Sequence, residues 1–158
     1  MLLGLSTSAH AQQKIAHVDT DAVISEMMEY KTAKSEIESY SKILQKQLEG
    51  EQAKVQEYYA EVMKKVQAGT LPPVEQRESE EKLAEMQDGL QNKAAEADQK
   101  LAKKEQELSK PMYDKFNAAV KKVAEANGYA YIIDLKLALY SGGGTDATSL
   151  VKAELGIE

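Results

Sequence analysis

Gly69-Thr70-Leu71-Pro72-Pro73 is the stretch whose reading decides the fold. It is a turn between two long helical segments that mirror one another about it. Each segment runs about 38 residues, roughly 57 Å at 1.5 Å per residue. Helices of globular proteins average about 11–12 residues, so these two are arms and not core helices. The turn sends the second arm back along the first, as an antiparallel helical hairpin with its tip near residues 69–73.

Outward from the turn, each arm carries a thin apolar stripe at alternating three- and four-residue spacing. On the first arm the seam reads Ile37, Ser41, Leu44, Leu48, Glu51, Val55, Tyr58 and Val62, with Ser41 and Glu51 as lapses. The return arm carries Leu83, Met86, Leu90, Ala94, Ala97, Leu101 and Leu108, and its central alanines allow the helix axes to approach closely. Charges such as Glu80-Glu81-Lys82 and Lys103-Lys104-Glu105 read as solvated faces with some i,i+4 pairing. Pro111 is expected to kink or break the second helix, because proline removes a helical N–H donor. It therefore marks an arm hinge.

Both ends of the chain are denser in apolar residues. Lys14-Ile15-Ala16-His17-Val18-Asp19 is a strand candidate, followed by Thr20-Asp21, which suits a helix cap. Val23, Ile24, Met27 and Met28 open the first helix as a packed base. After Pro111, the positions Met112, Tyr113, Phe116, Ala119, Val120, Val123 and Ala124 keep helical spacing, and Asn127-Gly128 stops that helix. Tyr129-Ala130-Tyr131-Ile132-Ile133-Asp134 reads as a strand, and Leu137-Ala138-Leu139-Tyr140 as another that pairs with it as a β-hairpin. Gly142-Gly143-Gly144 forms a turn, and Thr145 or Asp146 caps a last short helix. The organisation is thus a body of 14–32 and 111–158 and an arm of 33–110. Three short strands make a weak core alone, so the body is expected to complete itself by self-association. Ile15, Val18, Tyr131, Ile132, Ile133, Leu137 and Leu139 are the candidate oligomerisation residues.

Composition narrows the function classes. Of 158 residues, 6% are aromatic and none is Trp, while 29% are charged, which suits solvated helices better than a thick globule. The net charge of −6 argues against a nucleic-acid partner, since phosphate neutralisation needs a basic patch. Cysteine is absent, which removes disulfides, thiolate catalysis and Cys-based zinc sites. Met1-Leu2-Leu3-Gly4-Leu5, then Ser6-Thr7-Ser8-Ala9-His10-Ala11, reads as the tail of a signal peptide cleaved after Ala11. No segment reaches the roughly 18–20 apolar residues of a membrane span, so stable membrane insertion is not expected.

Sites of catalysis are not legible. Ser141-Gly142-Gly143-Gly144-Thr145 lacks both phosphate-loop patterns and reads as a plain turn. Asp19 and Asp134 both end strands, where capping accounts for them better than acid–base work. His17 has no second ligand at suitable spacing and no accompanying nucleophile. The sequence implies no catalytic residue, no metal site and no cofactor.

The order of these features resembles the Skp/OmpH family of periplasmic chaperones. The residues that carry it are the A-x-A signal, Lys14-Ile15-Ala16-His17-Val18-Asp19-Thr20-Asp21-Ala22-Val23, the charged helical hairpin, Pro111, Ala126-Asn127-Gly128-Tyr129-Ala130-Tyr131-Ile132-Ile133-Asp134, and Leu150-Val151-Lys152-Ala153-Glu154-Leu155. The resemblance spans Lys14 to Gly156. It implies an α+β, mainly α fold in which three subunits complete a small β body, with the helical hairpins hanging from it as tentacles around a cavity. It also implies a periplasmic homotrimer that holds unfolded outer-membrane β-barrel proteins there without ATP.

Tyr59, Met63, Val66 and Met86, near the tip, are the candidate client contacts. Members of the family can carry basic tips, whereas Lys64, Lys65, Arg77 and Lys82 are here opposed by Glu61, Glu75, Glu78, Glu80 and Glu81. That balance argues against lipopolysaccharide as a partner. Two other readings share the outline: a structural coiled-coil spacer or adaptor of the cell envelope, and a cytosolic prefoldin-like subunit.

Overall fold

The computed structural model describes residues 14–157, so the expected cleavage site at Ala9-His10-Ala11 lies outside the described residues. Along the chain follow β1 (Lys14–Val18), α1 (Thr20–Ile24), α2 (Met28–Gln67), α3 (Pro73–Asn127), β2 (Tyr129–Asp134), a 3-10 turn (Leu135–Leu137), β3 (Thr145–Asp146) and α4 (Thr148–Leu155). Two compact units result. One comprises Thr32–Ser109, and the described part of the other is 14–31 with 110–157. The helices α2 and α3, of 40 and 55 residues, contribute to both.

Within Thr32–Ser109 the two helices run antiparallel, because their cross-links descend on one as they rise on the other. Glu36 pairs with Lys104 at 3.0 Å, Glu51 with Lys93 at 2.8 Å, and Tyr58 with Lys82. The reversal is built by hydrogen bonds. Gly69 has φ +66°, its N–H donates to Val66 O, and the Thr70 N–H donates to Lys65 O. This closes α2 in a Schellman motif that a side chain at Gly69 would strain. Pro73 then occupies the first position of α3, where a missing N–H costs nothing. The seam residues read from spacing are the less exposed ones here, but only Ala33, Leu44 and Ala97 are buried in this unit. Two helices alone cannot enclose a dry core.

The other unit holds a three-stranded sheet in the order β2-β1-β3, with both pairs parallel. Ile15, Ala16, His17 and Val18 face Tyr131, Ile132, Ile133 and Asp134 in register, while Ala16 and His17 face Thr145 and Asp146 across the other edge. The inward side chains Ala16 and Val18 pack with Val23, Ile24 and Met27 and with one face of α3. That face is Met112, Phe116, Ala119 and Val123, at four- and three-residue intervals. Val151 of α4 is fully buried in the same core. Burial at about 1.5–3 kcal/mol per large apolar side chain makes this cluster the main source of the unit's stability.

Four sequence expectations are corrected. Leu137-Ala138-Leu139-Tyr140 is not a strand, and no β-hairpin forms with β2. Asp134 accepts the Lys136 N–H at 2.9 Å and caps a 3-10 turn, which swings the chain away. The third strand is instead Thr145–Asp146, reached on the far side of β1. Of the kink or break expected at Pro111, the break does not occur, for α3 runs continuously from Pro73 to Asn127. One lost N–H donor in 55 residues leaves the flanking bonds able to carry the helix through. Thr20-Asp21 lies inside α1, whose cap is the preceding Asp19, accepting the Ala22 N–H at 3.0 Å. Tyr113, read as part of the packed face, is exposed.

Candidate functional site

The arm unit presents a few apolar side chains on helices rich in charge, with Tyr59, Met63 and Val66 at four- and three-residue spacing near the tip. Along α2 and α3, residues at seam positions turn toward the facing helix, so the positions beside them must face solvent. Tyr59 is 51% exposed and Val66 40%, whereas Met63 and Met86 are half-buried along the seam. Of the four candidate contacts, then, two stand out from the arm and two lie in its flank. Ile43 and Val74, more exposed than either, escaped the sequence reading. The signal was available: an isoleucine beside seam residue Leu44, and a valine following the two turn prolines.

Charges around these side chains are largely internally matched. Lys65 bonds Glu61 at 2.7 Å, which raises the lysine and lowers the carboxylate from their ordinary pKa values. Lys82 lies over the Tyr58 ring. Farther along the arm, hydrogen bonds from Lys93 and then Lys54 hold the Glu51 carboxyl at about 2. Glu51, a lapse in the apolar seam, is thereby the acceptor that ties α2 to α3 at its level.

In the sheet unit, alternation divides the candidate oligomerisation residues. Val18 and Ile132 point to the unit's own core. Ile15 and Tyr131 face each other in register on the opposite side, beside Ile133, and are 52% and 58% exposed. Leu137 at the end of the 3-10 turn and Leu139 beyond it project into solvent, as does Tyr140, which the sequence reading left out of the set. The result is one sheet face and an adjoining segment whose large apolar side chains lack cover within the described residues.

The polar candidates have structural duties. Asp19 caps α1 and its N–H donates to Thr148 Oγ1 at 2.9 Å, fastening β1 to α4. Asp134 is lowered from its ordinary pKa chiefly by the Lys136 backbone N–H. Ser141–Gly144 is a turn closed by the Gly144 N–H on Ser141 O. Among the described residues no group of three His, Cys, Asp or Glu could hold a metal ion. Nor, among them, is any helix long and apolar enough to cross a membrane.

Comparison with known proteins agrees with this architecture. The family described as outer membrane protein (OmpH-like) matches residues 14–155. A crystal structure from Caulobacter crescentus CB15, described as an outer membrane chaperone (OmpH-like), superposes with a TM-score of 0.77. It shares 16% sequence identity, and the match covers 98% of this chain and 90% of that one. Among curated proteins no sequence matches.

Proposed function

Because this chain belongs to the OmpH-like family of outer membrane proteins, we propose that it is a chaperone of the periplasm that holds unfolded outer-membrane β-barrel proteins without ATP. The observation that carries this reading is the arm surface, where Ile43, Tyr59, Val66 and Val74 are exposed at intervals along helices rich in charged residues. Isolated apolar contacts are individually weak and release easily, yet several together retain a chain by raising its effective concentration. Met63 and Met86 add adaptable thioether surface. An unfolded barrel protein held this way keeps its strand edges from pairing with another copy. The description of the similar Caulobacter protein as an outer membrane chaperone supports the general role.

The exposed sheet face supports self-association, and a homotrimer with its bodies joined there would set three arms around one cavity. No catalytic step and no cofactor enter this reading. Retention leans on apolar contacts, since the arm's cations are mostly matched by its own carboxylates. The test is dilution of a urea-unfolded outer-membrane barrel protein into this protein, with and without ATP, followed by light scattering. Suppressed scattering in both conditions is expected. Scattering equal to that in buffer would instead fit an envelope spacer.

A further inference from the structure

His17 is the one histidine among the described residues, and β1 sets it on the outer face of the sheet. Strand alternation sends Ala16 and Val18 into the core and turns Ile15 and His17 the other way. The parallel register places Ile133 of β2 on one side of His17 and Asp146 of β3 on the other. The residue is already half-buried. The backbone at Gly144 passes so close that a Cβ there would lie 3.1 Å from the ring's Nδ1, an approach that glycine permits. With Ile15, Ile133, Ala138 and Tyr140, His17 lines a largely apolar recess of about 270 Å³. A titratable ring thus stands in the middle of the apolar surface that lacks cover.

We propose that His17 makes self-association through this face sensitive to pH, tight with a neutral ring and weak with a charged one. The inference rests on the reading that copies of the chain join through the outer sheet face. A partner subunit that covers Ile15 and Ile133 also covers the ring they adjoin. A neutral imidazole tolerates that burial, whereas an imidazolium gives up its hydration. Symmetric copies would also bring like charges toward one another. Two other titratable groups adjoin the ring. Asp146 is held ionised by the Thr148 hydroxyl and N–H, and it favours the charged ring. Its carboxylate is exposed and already accepts the Thr148 N–H at 2.8 Å, so solvent screens that attraction. Tyr140 shares the recess, and phenols ionise only near pH 10. Asp19, two residues along β1, is engaged as the cap of α1. Histidine changes charge between about pH 5 and 8. Association favours the neutral ring, so it is complete at the upper end of that range and is lost as pH falls through it.

Sedimentation velocity of the full chain from pH 8 to 5, at constant ionic strength and several concentrations, tests it. Wild type should be oligomeric at pH 8 and shift toward monomer at pH 5. Its affinity should fall by up to about tenfold per ring for each pH unit below the titration. Two uncharged variants, His17→Leu and His17→Gln, should keep one affinity across the range, and His17→Lys should be weakened throughout. Circular dichroism at each pH separates dissociation from loss of the helices. If wild type and both uncharged variants are monomers at pH 8, self-association through this face fails and the inference with it. If wild type is oligomeric with one affinity from pH 8 to 5, or if the uncharged variants show its acid response, the role of His17 alone is overturned.

Discussion

The ammonium of Lys82 on α3 stands 4.7 Å from the centroid of the Tyr58 ring on α2. That lies within the roughly 6 Å over which a ring face attracts a cation. Tyr58 is half-buried in the seam, so its ring serves the arm's own closure and is poorly placed to meet another chain. A double-mutant cycle of Tyr58→Leu and Lys82→Ala should give a coupling of about 0.5–1 kcal/mol in urea denaturation. Lys82→Arg should keep most of it.

Tyr59, one position on, is turned about 100° around the helix and is exposed. Tyr59→Ala/Val66→Ala removes two exposed side chains and no seam contact, so thermal stability should stay within about ±0.5 kcal/mol of wild type. Affinity for an unfolded barrel protein should fall several-fold, a loss of about 1 kcal/mol spread over many weak contacts. Fluorescence titration with a labelled client reads the change. Unaltered affinity in a normally folded variant would remove these two residues from the contact surface.

The Glu51 carboxyl, held at about 2 against an ordinary 4.5, gives a pH signature. A carboxyl whose folded pKa is depressed contributes stability that is complete above its unfolded value. That contribution fades as pH falls through the folded one. The advantage of wild type over Glu51→Gln should therefore be level from pH 7 to about 5 and shrink from 4.5 toward 2. Because Glu51 and its lysine partners are exposed, high salt should reduce it at every pH. Thermal melts of both proteins across that range, at low and high salt, provide the check.

Asp19 does two jobs with different atoms. Its carboxylate caps α1 through the Ala22 N–H, and its own N–H donates to Thr148 Oγ1. Asp19→Ala should cost about 1 kcal/mol through the lost cap. Thr148→Val should cost about 1–3 kcal/mol by leaving a part-buried N–H without its acceptor. The Asp19→Asn variant, which can still cap, should lie close to wild type. Urea denaturation followed by circular dichroism separates the three.

The arm and its seam were legible in the sequence because helical periodicity is local and repeats many times. Leu44 and Ala97, about 13 helical turns apart along the chain path, each announced their face through neighbours three and four residues away. The first two strands were legible for a similar reason, as short β-rich runs bounded by turn signals. The third strand was not. Thr145–Asp146 is two polar residues, and nothing in their type distinguishes them from the turn before them. They pair with β1 because of where α4 and the 3-10 turn place them, which is tertiary information. Leu137-Ala138-Leu139-Tyr140 misled for the converse reason. Its alternation is that of a strand, but the Asp134 cap had already turned the chain. Pro111 carried a strong local signal against a helix, and the neighbouring turns outweighed it.

That misread segment leads to the last expectation. Leu137, Leu139 and Tyr140 do not cover the sheet in this chain, and with Ile15, Tyr131 and Ile133 they leave an apolar surface exposed at one end of a small body. A partner subunit that buried them would recover about 1.5–3 kcal/mol per large side chain, ample to hold a trimer together. Charge placed on the outward face should abolish that gain without touching the inward core. Tyr131→Asp/Ile133→Asp should convert the oligomer to monomer in sedimentation velocity, whereas Val18→Ala and Ile132→Ala, on the inward side, should lower stability first. If the paired aspartates leave the sedimentation coefficient unchanged, the outer sheet face is not the contact between subunits.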